Sequence, residues 1–171
     1  MTSAPPFGVG RFAGLDGLRA IAVGAVLLYH LSPGALVGGY LGVDVFFVIS
    51  GFLITALVLR EREDTGQIDL RAFWVRRARR LLPAIVLLLL ACSTAAWAIG
   101  GNVLVGLGRQ LIGAATFSSN WLSIHAARSY FDDTSPELFR NLWSLAVEEQ
   151  FYLLWPLVLS VLLVPRRVGW R

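Results

Sequence analysis

Apolar residues dominate four blocks of this chain, and short charged, polar or glycine-rich stretches separate them. The first block, residues 15–31, reads LDGLRAIAVGAVLLYHL, an apolar helix pattern with Arg19 near its start and His30 near its end. SPGALVGG follows, a turn-rich connector of the kind that joins two antiparallel helices. Residues 40–59, YLGVDVFFVISGFLITALVL, form the second block, with Asp44 as its one charge. A third block covers residues 81–99, and a last one covers 142–164, LWSLAVEEQFYLLWPLVLSVLLV, with Glu148 and Glu149 in its first two turns. These lengths are near the ~20 residues that a helix needs to cross a hydrocarbon core of about 30 Å. Residues 103–124, VLVGLGRQLIGAATFSSNWLSI, carry Arg109, Gln110 and a polar FSSN, which suits either a weak span inside a bundle or a segment lying partly in the interface. The pattern predicts an all-α, polytopic transmembrane helix bundle of four to five hydrophobic helices.

Composition supports the same class, because 56% of the 171 residues are hydrophobic, more than a soluble core can hide. The formal net charge is +4, but its cations sit beside apolar blocks, so topology explains them and no nucleic acid partner is expected. The densest cluster, REREDTGQIDLRAFWVRRARR over residues 60–80, reads as a cytoplasmic loop by the positive-inside rule. That puts the N-terminus in the cytoplasm too, and His30 toward the outer half of the cell membrane. Phe73 and Trp74 read as interfacial anchors, and Pro83 sits where a new helix can begin. Residues 1–14 read as a cytoplasmic lead, because no small-residue cleavage site follows a hydrophobic run. Residues 15–165 then form the membrane domain and 166–171 a basic tail. A full crossing by 103–124 would turn that tail outward, so charge favours a non-crossing or re-entrant segment there. Cys92 is the single cysteine, and His30 and His125 are the two histidines. No disulfide framework, metal site or permanently bound cofactor is expected from that set.

Candidate chemistry starts with Arg19 and His30. They lie eleven residues apart, about three helical turns and roughly 16 Å, so both side chains face the same way. An ionisable group at bilayer depth costs about 2.5–3.5 kcal/mol, which makes such a pair a functional candidate. The alternative is that Arg19 snorkels to the interface and His30 caps the far end among the headgroups. In GYLGVD, Gly39 and Gly42, with Gly51 further on, let a neighbouring helix or an acyl chain approach the backbone, while Asp44 also suits the first turn of a helix. Glu148, Tyr152 and Trp155 share one stripe, a polar and aromatic face suited to a sugar or a headgroup, or simply to acids near a helix end. In the connector 125–141, Asp132 and Asp133 suit a cation or a sugar hydroxyl, although an exposed acidic loop is the commoner case.

Taken together these motifs resemble acyltransferase family 3, membrane proteins that O-acylate surface polysaccharides, peptidoglycan and other extracytoplasmic glycans. Four stretches in order carry the resemblance: LDGLRAIAV with Arg19 and His30, Gly39–Asp44 with VFFVISGFLIT, FWVRRARRLLP, and NLWSLAVEEQFYLLWP. The resemblance implies a transferase that takes an acyl group, acetyl being expected, from cytoplasmic acyl-CoA to a hydroxyl of an extracytoplasmic glycan or cell-surface polysaccharide. His30 would be its general base or a transient acyl carrier, since imidazole is the side chain of the first span able to accept a proton near neutral pH. Arg77 and Arg80, with Arg76 beside them, would bind the phosphates of coenzyme A bidentately. Arg19 would hold the thioester end or balance Asp16 and Glu148, and Glu148 would orient the acceptor. Asp44, Tyr152 and Trp155 would line the substrate. Members of the family have about ten spans, so four or five look like the N-terminal half, expected to need the C-terminal half or an oligomer for activity. The competing class is a transporter or non-catalytic membrane subunit that uses Arg19, His30 and Glu148 as a polar pathway.

Overall fold

A computed structural model describes residues 13–32, 34–126 and 137–163. The candidate acids Asp132 and Asp133, the basic tail and all but the end of the expected lead lie outside the described residues. Within them the regular structure is helical: α1 (Ala13–Leu31), α2 (Gly42–Thr65), α3 (Leu70–Ile99), α4 (Leu107–Ala115), α5 (Ser119–His125) and α6 (Leu142–Leu162). Short 3-10 turns at Gly39–Leu41 and Gly101–Leu104 precede α2 and α4. Among the described residues α1, α2, α3 and α6 are long and apolar enough to cross a membrane.

Two boundaries differ from the sequence reading. Residues 60–80 are largely helical rather than a loop, because arginine and glutamate are good helix formers and both ends are capped. α2 carries its charges to Thr65 and stops at Gly66, whose φ of 75° and amide bond to the Arg62 carbonyl (2.8 Å) form a left-handed cap. Asp69 then caps α3 by accepting the Ala72 amide at 2.8 Å, so that helix starts thirteen residues before Pro83 and not at it. At 30 residues α3 is about 45 Å long, and a hydrocarbon core of about 30 Å leaves its arginine-rich first turns outside. The ambiguous stretch 103–124 is broken: α4 has 9 residues and α5 has 7, so neither reaches across.

The chain divides inside α2 into two compact units, residues 1–56 and 57–171. In the first, α1 lies against the turn that opens α2, and two glycines make the approach possible. A Cβ on Gly39 would stand 2.3 Å from the Ala25 carbonyl oxygen, and one on Gly42 would stand 2.4 Å from that of Ala22 and 2.8 Å from a Val26 methyl. Both are impossible contacts, so backbone meets backbone here as at small-residue helix interfaces in lipid. Gly42→Val is therefore expected to destabilise this unit by about 1–3 kcal/mol, the usual range for overpacking. The midpoint of unfolding in a sodium dodecyl sulfate titration measures it, and an unshifted midpoint rules the close contact out.

In the second unit α6 packs against α3, α4 and α5, and α4 also touches α3 and α5. Its core includes Val58, Phe73, Ile85, Ala114, Ala146, Tyr152 and Leu159. Polar side chains pin the short helices to α6: Gln150 Nε2 donates to the Phe117 carbonyl at 2.8 Å and to Asn120 Oδ1 at 2.9 Å, and Asn120 Nδ2 returns a bond to Gln150 Oε1 at 3.2 Å. Gln110 Oε1 accepts the Phe139 amide at 3.2 Å. Much of the outer surface is apolar, with Trp97 78% and Ile21 71% exposed, as suits lipid or further helices.

Candidate functional site

In the second unit, charged side chains from α3 and α6 meet. Trp74 and Arg77, three residues apart on α3, share a face, and Glu149 and Tyr152 do the same on α6. Arg77 donates to Glu149 through Nη2 (2.6 Å to Oε1) and through Nε (3.1 Å to each oxygen). The guanidinium carbon lies 3.1 Å over the centre of the Tyr152 ring, a cation–π stack on a buried aromatic. Tyr152 in turn donates its hydroxyl to Glu148, and its carbonyl accepts the Trp74 indole N–H at 3.2 Å. Ion pair, stack and two hydrogen bonds thus make one cluster in which Arg77 pairs with Glu149 and Tyr152 bonds Glu148. A cleft of about 150 Å³ opens beside it, lined by Trp74, Arg77, Glu149 and Tyr152 together with Ala78, Leu81, Leu82, Phe117 and Leu153.

The structure brings some of the expected residues together and leaves others apart. Arg77, Glu148 and Tyr152 belong to one cluster, whereas Arg76 and Arg80 are exposed on α3. Trp155, expected on the Glu148–Tyr152 stripe, stacks on Phe151 with ring centres 5.5 Å apart and planes at 19°. Trp74, read as an interfacial anchor, is half-buried, and its indole N–H is bonded to α6. Glu149 was not singled out from the sequence, yet it makes the ion pair with Arg77; the i, i+3 spacing Glu149–Tyr152, matched by Trp74–Arg77, is the signal that points to it.

The first unit holds the other expected group. On α1, His30 Nδ1 lies 2.8 Å from the Val26 carbonyl oxygen. A carbonyl only accepts, so Nδ1 carries the hydrogen and the neutral ring has its lone pair at Nε2. The Tyr29 ring meets the imidazole edge-on at 5.3 Å and itself meets the Tyr40 ring at 5.6 Å. Arg19 lies over the Phe46 ring, 5.8 Å from its centre. Asp44 sits exposed in the first turn of α2, where a negative charge suits the helix dipole.

Residues 12–170 match the model of a family described as an acyltransferase domain, nearly the whole chain. The chain belongs to this acyltransferase family. Among the relatives that this acyltransferase-family chain matches, O-acetyltransferase OatA of Staphylococcus aureus strain NCTC 8325 is 47% identical over 150 residues, 88% of this chain and 25% of the relative. A second Staphylococcus aureus protein, from strain COL and provisionally named an O-acetyltransferase, is 48% identical over 151 residues, again 88% of this chain and 25% of the relative. The chain thus spans about a quarter of the length of these relatives. No solved structure matches it.

Proposed function

We propose that this chain forms the N-terminal part of a membrane O-acyltransferase that moves an acyl group, acetyl in the first instance, from acyl-CoA to a hydroxyl of an extracytoplasmic glycan or cell-surface polysaccharide. The observation that carries the reading is the anchored imidazole of His30, on an apolar helix of a chain that belongs to an acyltransferase family and matches proteins named O-acetyltransferases. With Nδ1 bound to the Val26 carbonyl, Nε2 is the basic nitrogen. It takes the proton of the acceptor hydroxyl as that oxygen attacks the thioester carbon; the C–O bond forms, the C–S bond breaks, and the proton ends on the departing thiol of coenzyme A. Arg19, about three turns away on the same helix, is assigned to a more distant part of the donor or to balancing Asp16 and Glu148.

The arginine-rich start of α3, placed in the cytoplasm by its charge, is where coenzyme A docks in this reading. Arg76 and Arg80 are exposed and suit its phosphates, while Arg77 reaches an anion only if Glu149 gives way. Glu148, with Tyr152, is assigned to the acceptor, and Asp44 and Trp155 to further contacts with it. The N-terminus lies in the cytoplasm and the acceptor on the outer side of the cell membrane.

The test supplies labelled acetyl-CoA to the cytoplasmic side of membranes containing a full-length family member that carries this segment. Label is expected on an extracytoplasmic glycan, and Arg76→Ala with Arg80→Ala is expected to raise KM for acetyl-CoA at least about tenfold, from the loss of charge-assisted bonds of about 1.5–3 kcal/mol each. Absence of label from every glycan, with transport of a solute instead, excludes the reading.

A further inference from the structure

The cleft between α3 and α6 changes character along its length. Arg77 and Glu149 give it a charged end, and one turn further along α3 Leu81 and Leu82 form a carbon wall with Leu153 of α6. Arg77 stands seven residues on from Leu70, the first of α3, which is about 10 Å along the helix. With about 15 Å of that helix left beyond a core of about 30 Å, this is the depth of lipid headgroups, and Leu81 and Leu82 begin the hydrocarbon. Leu82 and Leu153 are 46% and 53% exposed, so the cleft opens sideways onto the apolar outer surface. Phe117, at the corner between α4 and α5 with a left-handed φ of 51°, lines it too.

An ion pair that opens toward lipid has to be solvated by something polar, because hydrocarbon cannot do it. The count of hydrogen bonds says what kind of group fits. A guanidinium has five N–H donors, and Glu149 takes those of Nε and Nη2, which leaves Nη1 without an acceptor among the described residues. A carboxylate has about four lone-pair sites, so the three contacts from Arg77 leave Glu149 room for a further donor. A lone anion suits the spare N–H groups but meets the charge of Glu149, and a lone cation suits the acid but meets Arg77. A group carrying both signs meets neither objection. We propose that the cleft is a lipid site, in which a phospholipid whose headgroup carries a primary ammonium besides its phosphate lies with the phosphate on Arg77, the ammonium on Glu149 and an acyl chain along Leu81, Leu82 and Leu153. A primary ammonium donates N–H to a carboxylate and a quaternary one does not, while the Tyr152 face that a quaternary group would seek already carries the Arg77 guanidinium. The open side sets no limit on the chain, which runs out into the bilayer. The site lies wholly within the second unit and is independent of acyl transfer.

The test takes a full-length family member carrying this segment, in detergent micelles with equal amounts of phosphatidylethanolamine, phosphatidylcholine and phosphatidylglycerol, and counts by mass spectrometry the lipids that stay on the washed protein. The wild type is expected to retain phosphatidylethanolamine at least about tenfold over either of the others, the worth of one charge-assisted hydrogen bond. Glu149→Gln keeps the shape and removes the charge. In it the ratio of phosphatidylethanolamine to phosphatidylglycerol is expected to fall at least about tenfold, because a guanidinium without its carboxylate prefers a plain anion. Leu153→Trp leaves the ion pair in place and blocks the open side, and it is expected to cut phosphatidylethanolamine retention by a similar factor. Equal retention of the three lipids by the wild type overturns the proposal, as does retention of none, the result if other helices of the full-length protein cover the cleft. An unchanged lipid ratio in Glu149→Gln overturns it too. Where that variant fails to fold, Leu153→Trp decides alone, and undiminished retention there puts the lipid elsewhere.

Discussion

Alanine at position 30 is expected to slow acyl transfer by about 10²- to 10⁴-fold, the contribution typical of a positioned general base. The assay is label transfer from acetyl-CoA in membranes with a full-length family member that carries this segment, corrected for the amount of protein. His30→Gln is the sharper variant, because its amide can still donate to the Val26 carbonyl that now receives Nδ1–H, while offering no basic nitrogen. If both variants lose transfer, basicity at Nε2 is what matters. If glutamine restores it, the ring only props α1 in place. Rapid quenching separates the two chemical roles, since label held covalently on the protein and lost with His30→Gln identifies an acyl carrier, and label passing straight to the acceptor identifies a base. Transfer within tenfold of the wild type in both variants would remove His30 from the chemistry.

The second large effect concerns the pairing of Arg77 with Glu149. Their side chains are 27% and 14% exposed, so the bidentate pair is partly shielded from water. Removing one member of a buried pair leaves the other uncompensated and costs about 3–5 kcal/mol; with this much exposure, the lower end applies. Glu149→Ala and Arg77→Ala are each expected to destabilise the second unit by about that amount. Exchanging the charges, Arg77→Glu together with Glu149→Arg, is expected to recover at least half of it, since the pair re-forms while the stack on Tyr152 is lost. Unfolding midpoints of the single and double variants measure this. A double variant as unstable as the sum of the two singles would mean that the guanidinium works alone and not as the brace between α3 and α6.

Much of this was legible in the sequence. Four apolar blocks predicted four membrane-length helices, because length and hydropathy are properties of contiguous residues. Glu148 and Tyr152 were likewise readable as neighbours from their i, i+4 spacing, which the hydroxyl bond now occupies. Contacts between distant residues were not readable. Arg77 and Glu149 are 72 positions apart, and only the packing of α3 on α6 selects Glu149 over its neighbour. The extension of α2 to Thr65 was hidden because charged residues were read as solvent-facing loop, although arginine and glutamate favour helix and a glycine cap waits at Gly66. Phe117 was hidden for the opposite reason: left-handed backbone is ordinarily announced by glycine or asparagine, and here a phenylalanine adopts it with its carbonyl bonded to Gln150.

The seat of Gly42 on α1 reaches further than packing. The carbonyl that receives the His30 Nδ1–H belongs to Val26, and the methyl nearest to a Cβ at position 42 is also that of Val26. Tilt of the imidazole and docking of the two helices are thus mechanically geared through one valine. In a library randomised at positions 26 and 42 and selected for turnover, survivors with a larger residue at 42 should carry a smaller one at 26, a compensating pair that would arise without either residue touching a substrate.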